Sequence, residues 1–421
     1  MNLQRRRAVP VILSGGGTSY YVDQTAGVDT NVGSQAAPWK TIAKVNGQTY
    51  PYRTTIYLKR GETWAEKLTI PSSGMTITNY GAGALPLITG SGTRDHAIYG
   101  TGKSNTVIDG VSATATVWET IDLRSASNCV IKNCTVVLGG NNGIYLNAVT
   151  GFDIYNNTIT QSNGNGIGIL SGVNGQVRNN DVAGCGLVTD DRSGISVFTG
   201  CSGVRVHHNI SHDHTNAGAV GIRGIILDTT NDGVNYCYQN IVHHCDGAGI
   251  YVYRANNQWV YYNIAYANGS VTNWNDGIKF QLSTGGYCYN NTCYGNRNSS
   301  IRCLNTNGVT VKNNIGWQTG NYCFITEGTD ATTHTADYNC FYGVANEYNW
   351  NGTAYANAAA FTAATTQGAH DTNADPACVS NADYHLQAGS PCINTGVAVG
   401  LTEDFDGVAV GSPPEIGAYE V

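Results

Sequence analysis

Lys279 and Arg302 stand 23 residues apart in a chain of 421 residues of which only 12% are charged. Twenty-three residues is also the commonest period of an internal repeat, which sets the two cations side by side at roughly 5 Å on one sheet. Like charges directly opposite on a sheet repel, so the pair calls for an anionic ligand. A lysine beside a second cation has a lowered pKa and can act as a base. Arg302 or Tyr251 can then stabilise the developing charge or protonate a leaving oxygen. Next to a substrate carboxylate, that set suffices for β-elimination. Tyr253, Arg254 and Gln281 come from the same part of the repeat, and tyrosine faces suit sugar rings.

Carboxylates offer a second chemistry. Asp190, Asp191, Asp213 and Asp276 fall in three enlarged turns, together with His212, Arg223 and Trp274. Two carboxyl groups about 6.5–9.5 Å apart suit inverting hydrolysis of a glycoside, and about 5–5.5 Å suits retention. Asp228, Asp246 or Asp276 can hold Ca2+ against a substrate carboxylate; no other cofactor is implied. Long surface loops are polar without any function, but charge is scarce elsewhere in this chain.

The element that must position these residues repeats along the chain. An Asn column runs through Asn157, Asn180, Asn209, Asn240, Asn263, Asn291, Asn314 and Asn339, with Cys134 in first place. The intervals are 23, 23, 29, 31, 23, 28, 23 and 25 residues. A second column, Gly143, Gly166, Gly194, Gly224, Gly249 and Gly277, is followed each time by Ile. The runs between are short, alternating and β-branched, which predicts two strands per repeat and no helix. Strands joined by turns that pair coil on coil make an all-β, single-domain parallel β-helix, right-handed by the chirality of parallel crossovers.

The leg from the Asn to the Gly column is 9 residues in regular coils, but 14 from Asn180, 15 from Asn209 and 14 from Asn263. All three insertions enter one turn and should wall one side of the solenoid. By parity, the strand beside that wall faces Tyr145, Gly168, Ser196, Ile226, Tyr251, Lys279 and Arg302 outward.

The remaining sequence frames this core. Residues 1–17 carry three Arg before a six-residue apolar run, too short for a convincing signal peptide, and are expected to be an arm or anchor. Residues 18–105 should form an N-terminal cap and irregular coils, 106–345 the regular helix and 346–421 a C-terminal cap, since open solenoid ends need covering. Net charge is −7, against nucleic acid as a partner, and no run is long and apolar enough for a membrane span. The 13 cysteines show no disulfide or zinc spacing; Cys237 and Cys288 fall in an inward column and read as buried hydrophobes. Reduced cysteines fit a protein that folds in a cytoplasm, a phage protein included.

The opening YYVDQTAGVDTNVGSQAAPWKTIAKVN (from Tyr20), the coils, and the closing DYHLQAGSPCINTG (Asp383), DFDG (Asp404) and EIGAYE (Glu415) resemble bacterial and phage right-handed parallel β-helix proteins of the pectate-lyase-like superfamily. Lys279 and Arg302 on adjacent coils are similar to the arrangement in β-helix alginate and chondroitin-type lyases, although GIKFQLSTGG and SIRCLNTNG do not reproduce those families' local motifs. NWNDGI (Asn273 to Ile278) faintly resembles the Asn-x-Asp-Gly strand of polygalacturonases, with its Asp pair in the wrong order. The resemblance implies a polysaccharide partner, an extracellular or virion-associated place and a monomer or homotrimer. Three functions follow as expectations: a lyase on a uronate-containing glycan, a glycoside hydrolase in the same groove, or a non-catalytic module such as a tail spike.

Overall fold

A computed structural model describes residues 17–89, 96–114, 117–188, 191–215, 221–229, 233–270, 276–317, 320–329 and 331–421. Three sheets of 13, 13 and 12 strands run the length of the molecule, and apart from one terminal hairpin all their pairings are parallel. One coil shows the plan: Ile144–Thr150 in the first sheet, Asp153–Tyr155 in the second, Thr158–Thr160 in the third, then Ile167–Leu170 back in the first. Each coil thus has three strands, not the expected two. The third was hidden because only two residues separate it from the second. Asn156 takes that corner at φ 53°, a left-handed conformation that Asn tolerates.

The Asn column sits at this corner as a buried ladder. Asn180 Nδ2 donates to Asn209 Oδ1 at 3.0 Å and to the Ile154 carbonyl at 2.9 Å, while Asn209 Oδ1 also accepts the Asn180 N–H at 3.0 Å. The same contacts recur from Asn157 to Asn339, where Asp371 accepts the last backbone N–H at 2.7 Å. A turn on every coil would otherwise bury unpaired amides. The Gly column has a different cause: a Cβ on Gly224 would meet Val242 Cγ1 at 2.0 Å, so only Gly fits at that coil, whereas Ser300 takes the position opposite Gly277.

Inside, Ile131, Ile154, Val177, Val206, Cys237, Val260, Cys288 and Val311 stack in register and are buried. All thirteen cysteines are free and buried, as small apolar side chains in such a column should be. At the far end the helix Ala358–Thr365 lays Phe361 flat on Tyr348, centroids 4.3 Å apart. The tail then turns back along the outside, where Asn313 Nδ2 donates to the Val397 carbonyl at 2.8 Å and Asn290 Nδ2 to that of Glu415 at 3.1 Å. Among the described residues no helix is long and apolar enough to cross a membrane.

Candidate functional site

The outward column of the first sheet is in register through the pairs Tyr145–Gly168, Gly168–Ser196, Ser196–Ile226, Ile226–Tyr251, Tyr251–Lys279 and Lys279–Arg302. Tyr251 lies on Ile250–Tyr253, Lys279 on Asp276–Gln281 and Arg302 on Ser299–Leu304. Although they face away from the core, Tyr251 and Lys279 are each 1% exposed, so this stretch of the face is a buried floor. Arg302, Gln281 and Tyr253 are half-buried and Arg254 is exposed, so burial falls off from floor to rim.

The floor is a network of charges. Lys279 Nζ lies 5.6 Å from the centre of the Tyr251 ring, and the Arg223 guanidinium 4.9 Å from it, both over a face that attracts cations. Burial lowers the Lys279 pKa to about 8; Asp276 opposes the shift, and Arg302 and Arg223 add to it. Arg302 was expected to be the cause, yet desolvation is the larger one. Burial holds the Tyr251 phenol far above its ordinary range, and its hydroxyl donates to Gln281 Oε1 at 2.6 Å.

The stacked cations are also not left to an absent ligand. Arg302 pairs with Glu327 at 2.5 Å and lies 3.8 Å from Asp276 Oδ2. Asp276 is fully buried; its Oδ1 accepts from Asn298 Nδ2 at 2.8 Å and Ser299 Oγ at 2.7 Å, and its Oδ2 has no hydrogen-bond partner. Glu327 escaped the sequence reading, which ended its column at Leu304. The signal was present, since Glu327 follows Leu304 by one period and pairs with it in register.

Other expectations divide. Arg223 is bonded to Asp191, and Arg254 lies over the Tyr253 ring at 4.9 Å. Both join the site: Asp191, Arg223 and Arg254 all act on Asp228, whose carboxyl is raised chiefly by burial. His212 and Asp213 do not. His212 pairs in register with His243 on the third sheet, around the corner from Lys279, because the enlarged turn begins only after it. Nor do Asp228 and Asp246 lie together. Asp228 follows the strand Arg223–Leu227 and Asp246 precedes Ile250–Tyr253, so parallel pairing sets them at opposite ends. Asp246 instead accepts from the Ser270 hydroxyl. Of the aspartates expected around one groove, Asp213 thus lies apart, while Asp191 joins the site through Arg223 and Asp276 through Arg302. Asp190 and Trp274 lie outside the described residues.

Further along the same face, Asp122 pairs in register with Tyr145 and forms a second acidic cluster. Arg124 Nε lies 3.0 Å from Asp122 Oδ1, and His96 Nδ1 lies 3.6 Å from Asp122 and 3.9 Å from Glu119. Arg124 compensates these carboxylates from within the cluster.

Residues 96–224 match the family model described as Right handed beta helix region. The chain is a right-handed parallel β-helix protein. No curated protein matches it. The A-module of the Azotobacter vinelandii mannuronan C-5 epimerase AlgE6 aligns with TM-score 0.57 and 14% identity, over 76% of this chain and 91% of that one. Pectate lyase Pel9A aligns with TM-score 0.51 and 16% identity, over 96% and 97%. The GH136 lacto-N-biosidase of Eubacterium ramulus aligns with TM-score 0.53 and 13% identity, over 73% and 67%. At such identities the β-helix likeness is one of fold.

Proposed function

We propose that this β-helix is an enzyme that binds an acidic, uronate-containing polysaccharide along its first sheet and cleaves it by β-elimination. The observation that carries the reading is Lys279: a buried amine on an outward-facing column, with Tyr251 on one side in register and Arg302 on the other. A pKa of about 8 leaves part of it neutral near neutral pH, as a general base requires. Lys279 takes the proton next to the uronate carboxylate. The released electron pair forms the carbon–carbon double bond and expels the glycosidic oxygen, which takes a proton from Tyr251. Arg223 and Arg302 stabilise the charge that develops on the carboxylate. A pectate lyase and a mannuronan epimerase share the fold, which supports this class of substrate.

A second reading is hydrolysis, favoured by Asp276 and Glu327 both lying against Arg302. A panel of uronate polymers separates the two. Products that absorb as unsaturated uronates select elimination, and new reducing ends without that absorbance select hydrolysis. Binding without products selects a non-catalytic module. Under the first reading, Lys279→Ala lowers turnover by about 10²- to 10⁴-fold with the fold intact. Activity within twofold of the parent overturns it.

A further inference from the structure

Six of the ten histidines lie between His207 and His244, and the proposed reaction uses none of them. We propose that His212, Asp213, His243 and His244 form a binding site for a divalent transition-metal ion of the Zn2+ class, at the corner where the second enlarged turn begins. The inference does not depend on the reaction proposed for Lys279.

Adjacent strands Ile210–His212 and Ile241–His243 place His212 and His243 in register, with rings stacked at 4.9 Å. Asp213 Oδ2 is 2.7 Å from His212 Nδ1, and its Oδ1 is 3.8 Å from His244 Nδ1. His244 Nδ1 is in turn 2.7 Å from His243 Nδ1. The His212 and His243 imidazoles and the Asp213 carboxylate bring three donor atoms within 4.8 Å of one another, and His244 Nδ1 adjoins His243 and Asp213, a nitrogen–oxygen donor set that suits zinc and its neighbours rather than Ca2+.

The outer contacts point the same way. His212 Nε2 lies 2.9 Å from Asp181 Oδ1. A proton held there leaves Nδ1 as a lone pair facing the Asp213 carboxylate, which a cation between them resolves. A carboxylate behind a ligating histidine is the usual means of orienting it. The 2.7 Å separations are those of shared protons; an ion about 2.0–2.2 Å from each donor opens them by several tenths of an ångström, which the exposed Asp213 and His244 side chains accommodate.

A natural control stands on the next sheet. His207 and His208 have the same spacing, Nδ1 to Nδ1 at 2.7 Å. There the neighbours are Arg178 and Arg205, which act on His207 as like charges, together with the Gln176 amide. That pair repels a cation. His214 is no ligand either: its Nδ1 accepts from the Cys185 N–H at 3.1 Å and its Nε2 meets Ser211 Oγ at 2.9 Å. It pins the root of the enlarged turn from inside, and the ion would pin it from outside.

The test uses the full, untagged chain after treatment with chelator, titrated with Zn2+ by calorimetry and with Co2+ by visible absorption. One ion per chain is expected, with cobalt bands of a nitrogen–oxygen site. Affinity should fall by about 100-fold in His244→Ala and in His212→Ala, and by about 10-fold in Asp181→Asn. His207→Ala should bind as the parent does. No saturable uptake by the parent overturns the proposal, as does uptake that survives His244→Ala and His212→Ala. His244 is exposed, so its variant tests the site without burdening the fold; unchanged melting of the stripped variants confirms this.

Discussion

At the scale of one residue, Lys279 costs the fold something. A lysine held at about 8 against an ordinary 10.5 corresponds to roughly 3 kcal/mol of penalty when charged. The folded pKa lies below the unfolded one, so the unfolded chain binds more protons between these values. The penalty is therefore complete below about pH 8 and disappears as pH rises toward 10.5. Lys279→Met keeps the bulk and removes the charge. It should raise stability at pH 7 by about 1–3 kcal/mol, less near pH 10, while abolishing turnover. Denaturant midpoints at the two pH values check this; a loss of stability at pH 7 would show that Asp276 depends on the lysine more than burial penalises it. If Lys279 is the base, the parent's kcat/KM should rise with pH through about 8, where the amine loses its proton.

At the scale of the element, the Asn ladder shows what was legible in the sequence and what was not. Asn263 Nδ2 donates to the Cys237 carbonyl at 2.9 Å and to Asn291 Oδ1 at 3.0 Å, and its Oδ1 accepts the Asn240 N–H at 3.1 Å. Asn263→Ala strands these partners in a buried corner and should cost about 3 kcal/mol, read by chemical denaturation. Asn156, one position before the ladder and exposed, needs only a left-handed φ of 53°; Asn156→Gly should leave stability within about 1 kcal/mol. Equal costs for the two would mean that the turn, not the ladder, carries the corner. A ladder repeats, so its column could be read from spacing, and parity then gave the outward column from Tyr145 to Arg302. The third strand could not be read, because three residues such as Thr158–Thr160 show too little alternation. The placement of His212 failed for a related reason. With that strand unseen, an enlarged leg gave no sign of where strand ended and turn began, and His212 was assigned to the turn.

For the whole molecule, the difficulty is that a solenoid joins each coil only to its neighbours. The folded-back tail breaks that rule. Gln239 bonds to the Asp404 carbonyl, Ala418 N–H donates to Thr292 Oγ1 at 3.0 Å, and Gly417 N–H to the Asn313 carbonyl at 2.8 Å. One strap thus ties coils that do not otherwise touch. Its anchor is acidic. Glu420 is buried beside Glu415, and burial first, then that neighbour, raises its carboxyl above the ordinary range; burial also raises Asp404, which accepts the Glu420 N–H at 2.8 Å. A carboxyl raised on folding binds a proton that the unfolded chain has already released, so its contribution is present at low pH and declines as pH rises through the raised value. The strap should therefore open more readily at pH 8.5 than at pH 6. Amide exchange at Ala418 and Glu420, corrected for intrinsic rates, measures the opening. Glu420→Gln, neutral at both pH values, should remove the difference and keep the strap closed. Opening constants that match in the parent at both pH values would mean that Glu420 carries no extra proton, and that the strap holds by its apolar contacts, Tyr419 on His385 at 3.8 Å foremost.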